Sequence, residues 1–158
     1  MKVKMCGLYR PEDIDYANEV QPDYVGFVFY EKSHRAVTKE QAAEYRKKLL
    51  PGIRTVGVFV NEDPKNIIEL LEEGILDVAQ LHGDETEEDI QYLQAVCHKP
   101  VIKAVKVETG TMWKRGWTAV QIICYSTTEW GRDRRLTGAS LAGSTGNFSW
   151  QEDYRRRI

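Results

Sequence analysis

Short β-branched or aromatic runs alternate with charged amphipathic stretches as far as about Val107, and no other feature constrains the fold as much. The runs are Val3–Gly7, Tyr24–Phe29, Thr55–Val60, Val78–His82 and Val101–Val107, each with the length and residue types of a buried strand. Between them, Pro11–Glu19, Lys39–Leu50, Pro64–Glu73 and Glu87–Val96 set apolar residues at helical spacing. Pro11 and Pro64 occupy first-turn positions, Thr38 with Gln41 forms a capping box, and Thr86 precedes Glu87, Glu88 and Asp89. A strand-helix repeat of roughly 25 residues builds parallel βαβ units, in either an open sheet or a barrel. No glycine-rich dinucleotide fingerprint or phosphate loop follows the first run, which weakens the open-sheet nucleotide-binding alternative.

Past Val107 the alternation fails. All four tryptophans (Trp113, Trp117, Trp130, Trp150) lie beyond it. Residues 1–108 carry 14 basic and 20 acidic side chains, whereas the remainder carries 8 and 4. The chain therefore divides into a regular part, 1–108, and an atypical tail, 109–158. Its 158 residues suit one domain with a real core, and a net charge of -2 gives no argument for nucleic acid. No apolar run approaches the roughly 18–20 residues that span a bilayer, so no membrane role is expected. Met1-Lys2-Val3-Lys4 passes directly into a strand pattern, so no signal peptide is expected. Cys6, Cys97 and Cys124 are an odd, widely spaced set, which argues against a disulfide framework or zinc knuckle and fits a reducing cytoplasm.

In barrels the chemistry gathers where strands end. A period of two puts Lys2, Lys4 and Cys6 on one face of the first strand, with Val3 and Met5 on the other. Cys6 then stands at the strand tip, facing inward, with an ammonium one step below. A nearby cation favours thiolate, which makes Cys6 a candidate base or nucleophile; the alternative is a small core residue. The second strand is followed by Lys32-Ser33-His34-Arg35, and Arg35 offers a planar fork that can clamp a carboxylate or phosphate, or else is a solvated loop charge. The fourth strand ends Gln80-Leu81-His82-Gly83-Asp84-Glu85, with Gln80 and His82 on the inward face that Cys6 would share. A lone histidine is more often structural than catalytic. Cys97-His98 closes a helix and reads as surface. His34, His82 and Cys6 have no metal-ligand spacing, so no metal is expected.

Taken in order, Met5-Cys6-Gly7-Leu8, Gly26-Phe27-Val28-Phe29 with Lys32-Ser33-His34-Arg35, Val56-Gly57-Val58-Phe59-Val60-Asn61, Gln80-Leu81-His82-Gly83-Asp84-Glu85 and Val101-Ile102-Lys103-Ala104 closely resemble the phosphoribosylanthranilate isomerase family of tryptophan biosynthesis. The resemblance covers about the first 107 residues. It implies an α/β fold of the (β/α)8 TIM-barrel family, here incomplete, with about five βα units plus the tail. It also implies an intramolecular aldose-ketose isomerase that needs no cofactor and acts on a phosphorylated sugar-anthranilate. In the family an aspartate acid opens the ribose ring to a Schiff base, and a cysteine thiolate removes the sugar C2 proton. Cys6 matches that cysteine, Arg35 matches the arginine that holds substrate anionic groups, and Gln80 and His82 match positions lining the site.

The family's sixth strand with its aspartate, its Gly-Gly-Thr-Gly loop with Phe-Asp-Trp, and its Leu-Ala-Gly-Gly-Leu strand do not follow in order. Val120–Ser126 looks strand-like but sets Cys124 and Tyr125 where the acid belongs. Back-translated and read from the third base of each codon, Val120–Thr127 permits Ala-Asp-Tyr-Leu-Leu-Phe-Asp, Arg135–Ala139 permits Phe-Asp-Trp-Ser, and Phe148–Ile158 permits Phe-Leu-Ala-Gly-Gly-Leu-Ser-Pro-Glu-Asn. Degeneracy makes such matches easy, so the forced positions decide. Met112-Trp113 must give Val, Trp113-Lys114 Glu, Cys124-Tyr125 Leu, Trp150-Gln151 Ala and Asp153-Tyr154 Leu, and all fit. The expectation is a frame change near Glu108–Gly110, an out-of-frame tail and an early stop. Five strands cannot close an eight-stranded barrel, so strands one and five are expected as open edges, with apolar faces meeting water or the tail. Little or no isomerase activity is then expected. The alternatives are a non-catalytic truncated product, and a half-barrel that binds a partner or anionic ligand through Arg35 and the basic tail.

Overall fold

The computed structural model describes residues 2–107 and 119–125, and their six strands form one sheet in chain order. The elements are β1 (Lys4–Cys6), α1 (Pro11–Val20), β2 (Tyr24–Val28), α2 (Lys39–Lys48), β3 (Arg54–Phe59), α3 (Pro64–Glu72), β4 (Val78–Leu81), α4 (Glu87–Cys97), β5 (Val101–Val107) and β6 (Ala119–Tyr125). Strands β1 to β5 are all parallel, as a helix between each pair of strands requires.

Helix starts follow the chemistry of their first turns. Pro11 and Pro64 occupy first-turn positions, where a missing N–H costs nothing. Thr38 and Gln41 exchange both capping bonds, Gln41 N to Thr38 Oγ1 at 3.3 Å and Thr38 N to Gln41 Oε1 at 2.9 Å. Thr86 does the same with Asp89.

The sheet has two unlike faces. The helix-facing side carries the main core, including Ile14, Phe27, Phe59, Leu71, Leu81 and Leu93. The other side buries a smaller cluster of Tyr24, Val56, Val78 and Ile102. Register explains the second set, because Cys6 lies beside Gly26, Gly26 beside Val56, Val58 beside Gln80, and Gln80 beside Ile102. Paired residues point the same way, so all of these share one face.

That face is concave. Two strands separate β1 from β4, and at about 4.8 Å per strand a flat sheet would hold them roughly 14 Å apart. Lys4 Nζ nevertheless donates to Gln80 Oε1 at 2.5 Å. The parallel part thus keeps the inward curl of a barrel wall.

One expectation about the edges is corrected. β1 is an edge, but β5 is not: β6 pairs with it antiparallel over its whole length, from Val101 beside Tyr125 to Val107 beside Ala119. Val101, Ile102 and Ala104 are buried accordingly rather than left to water. The reason is the length of the connection. A parallel return needs about a dozen or more residues, usually a helix, and residues 108–118 fall short of that. The sixth strand therefore runs opposite to the barrel sense. The remaining tail, 126–158, lies outside the described residues.

Candidate active site

β1 ends at Cys6, and its exit is tied to β2 by Gly7 N and Leu8 N, which both donate to Gly26 O at 2.9 and 3.1 Å. Cys6 is exposed, and its Sγ accepts from Lys4 Nζ at 3.3 Å. The shared face of Lys4 and Cys6, expected from alternation alone, is the concave one. Gly26 makes room for both: a Cβ there would stand 2.7 Å from Cys6 Sγ and 3.0 Å from Lys4 Cε. Lys4 also donates to Gln80, which is buried on β4. Lys2 places its Nζ 5.8 Å from the centre of the Tyr24 ring, on the same face.

The loop after β2 folds back over this corner. Ser33 N donates to Tyr30 O, Ala36 N to Ser33 O, and Val37 N to Val28 O, which makes a tight hydrogen-bonded turn. Arg35 N donates to Ser33 Oγ at 3.2 Å. The turn lays the Arg35 side chain along Gly7, so that a Cβ on Gly7 would meet Arg35 Cδ at 3.0 Å and Nη1 at 3.1 Å. Gly7 has φ +83°, a conformation glycine adopts without strain. Arg35 is therefore brought next to Cys6 in space, from far away in sequence.

His82 extends the ladder past β4, its N donating to Phe59 O at 2.8 Å, and it is half-buried at the same strand-end rim. His34 is exposed. His98 is exposed and caps α4 with φ 51°, but Cys97 packs partly against the core, so only half of that pair is surface. Among the described residues, no group of three or more His, Cys, Asp and Glu could hold a metal.

Lys103 and Glu85 both lie in the family-like motifs of the sequence, yet no role for either is evident there. Lys103, nearly buried on β5, donates to Gly83 O at 2.6 Å and to Glu85 Oε2 at 2.5 Å. Glu85 also accepts from Asn61 N at 2.8 Å and Gly83 N at 2.9 Å. Burial works against its charge, but the Lys103 ammonium and the backbone N–H groups outweigh it, and the carboxyl is held below its ordinary range. The cluster staples the loops after β3 and β4 to β5 and so fixes the rim that carries His82. A lysine inside the apolar run Val101–Val107 was the available signal.

At the other rim, Asp77 Oδ2 accepts from Thr55 N at 2.8 Å and Thr55 Oγ1 at 3.2 Å and pairs with Arg46 at 3.3 Å. That end of the sheet is also where β6 finishes. Tyr125 sits beside Val101, at the end away from Cys6, and β6 contains neither Asp nor Glu.

Comparison with known proteins identifies the family of this fold. Residues 3–120 match the family model for N-(5'-phosphoribosyl)anthranilate isomerase. The N-(5'-phosphoribosyl)anthranilate isomerase of Caldanaerobacter subterraneus subsp. tengcongensis is 49% identical over 109 residues, which are 69% of this chain and 52% of that protein. The Acetivibrio thermocellus enzyme of the same name is 40% identical over 153 residues, 94% of this chain and 67% of its own. A crystal structure of phosphoribosyl anthranilate isomerase in complex with reduced 1-(o-carboxyphenylamino)-1-deoxyribulose 5-phosphate superposes with a TM-score of 0.64 at 39% identity, covering 69% of this chain and 55% of that one. The chain thus spans about half the length of the first of these relatives. With the parallel β1–β5 wall and the family model matched across most of its length, the chain belongs to the N-(5'-phosphoribosyl)anthranilate isomerase family.

Proposed function

We propose that Cys6 is the general base of an aldose-ketose isomerisation of N-(5'-phosphoribosyl)anthranilate, a step of tryptophan biosynthesis. The observation that carries this is the corner at the end of β1. There an exposed sulfur lies 3.3 Å from an ammonium, on the concave face, with the Arg35 guanidinium laid across the next residue. A thiolate in that place takes the C2 proton of the protonated, ring-opened Schiff base; the C–H pair forms the C1=C2 bond and the C1=N π pair moves onto the nitrogen. The resulting enaminol takes up a proton at C1 and gives up its C2 hydroxyl proton to become the ketose. Protons move and no net oxidation occurs, so the step needs no cofactor. Arg35 supplies a planar fork for an anionic group of the substrate, and His82 lines the rim above Gln80. The odd, widely spaced set of three cysteines fits a reducing cytoplasm.

Among the described residues, the strand after β5 offers no partner acid. Back-translation of the tail resembles the family's sixth strand when read one phase off, and the strand that follows β5 among the described residues runs antiparallel and carries no carboxylate. We therefore read residues 109–158 as the product of a shifted frame, and this chain as having little or no isomerase activity. The longer match to the Acetivibrio protein runs past that point, so the frame is tested on DNA. Sequencing across codons 106–112 is expected to find a single-base change that restores an open frame into the aspartate segment; an unbroken frame there refutes the shift. Function is tested in a tryptophan auxotroph lacking this isomerase. The frame-restored gene is expected to support growth and its Cys6→Ala variant none. Growth with Cys6→Ala overturns the assignment of the base.

A further inference from the structure

Lys103 pairs with the Glu85 carboxylate. Lys4 donates to Gln80 Oε1, a neutral amide acceptor that fixes where the ammonium sits. The same Nζ is 3.3 Å from Cys6 Sγ. Gln80 is buried, so its carbonyl needs a donor, and lysine can only donate.

We propose that Lys4 is a positioning residue that holds Cys6 as a thiolate, and that Gln80 acts by orienting Lys4 rather than by touching substrate. This rests on the reading of Cys6 as the base and assigns the base its partners. Alternation along β1 stacks Lys4 directly below Cys6, and Gly26 leaves the space in which ammonium and sulfur meet. Other described groups stand near this corner. Arg35 lies across Gly7 from the β2 loop, Lys2 sits over the Tyr24 ring ahead of β1, and His82 follows Gln80 at the end of β4. Lys4 contacts the sulfur directly. A hydrogen bond from a cation favours the ionised thiol over the neutral one.

The test reads the sulfur without turnover. The full chain is alkylated with iodoacetamide, a neutral reagent that surface charge does not steer, and modification of Cys6 is followed by peptide mass spectrometry. At about neutral pH, Lys4→Met is expected to slow alkylation about tenfold, and the two rates are expected to converge at about pH 10, above the ordinary thiol range. Lys4→Arg should recover most of the lost rate, and Gln80→Leu should slow the neutral-pH reaction by a smaller factor. A parental rate in Lys4→Met at neutral pH, or the same slowing at both pH values, overturns the proposal. Should Lys4→Met fail to fold, a parental rate in Gln80→Leu overturns it instead. The isomerase reading fails separately: a frame-restored chain with a Lys4-dependent thiol and no turnover sinks that reading and leaves this coupling in place.

Discussion

At the scale of single residues, the site corner depends on what is missing as much as on what is present. Gly26 has no side chain where Cys6 and Lys4 need space, and the nearest backbone atom to an added Cβ is Cys6 Cα at 3.2 Å. Gly26→Ala should therefore displace the sulfur and destabilise the chain by about 1–3 kcal/mol, read from the urea midpoint. The ion pair of Lys103 with Glu85 makes a different kind of prediction. Its side chains are only 11% and 8% exposed, so removing one partner strands the other, and Glu85→Ala should cost about 3–5 kcal/mol. The sign of its pH dependence follows from its depressed ionisation. The Glu85 contribution is present above its ordinary value of 4.5 and is lost as pH falls through the lower folded value. Urea midpoints from about pH 7 down to about pH 3 should fall less steeply in Glu85→Gln than in the parent. An equally steep fall would remove Glu85 from the account.

At the scale of elements, most of the architecture was legible before any coordinates. Local chemistry wrote it. Pro11, Thr38, Pro64 and Thr86 mark helix starts because a first turn has unpaired N–H groups, and each start lies where that chemistry put it. Thr86→Ala should accordingly cost about 1 kcal/mol, measurable by thermal or urea unfolding, since Thr86 exchanges two bonds with Asp89. The face shared by Lys4 and Cys6 was legible for the same reason, because strand alternation is local. The proximity of Arg35 to Gly7 was not, since it depends on a turn closed by Ser33 and Val37 over a strand from another part of the chain. Nor was the Lys103–Glu85 pair, whose partners are 18 residues apart and meet only when β4 and β5 align. The direction of β6 was the element most at odds with expectation. Its strand-like residues were visible, but their orientation is set by the short connection and by the unpaired edge that β5 offered.

At the scale of the whole molecule, the described residues form a curled parallel wall closed on one side by a strand of the wrong sense. The wall brings Cys6 and Lys4 to one corner, with Arg35 at its rim. A barrel would bring its later strands round to face Cys6 from across the concave surface, whereas β6 lies flat against β5 and ends at the opposite rim. No helix among the described residues is long and apolar enough to cross a membrane. Two properties that an intact enzyme joins are separated in the proposed reading: the corner that holds Cys6, and a completed reaction. The most direct test compares the rate at which purified chain and frame-restored chain convert N-(5'-phosphoribosyl)anthranilate. The restored chain should turn it over and lose that activity with Cys6→Ala, while the chain as written should be slower by at least about a thousandfold, the scale of losing a general acid. Comparable rates from the two would contradict the account.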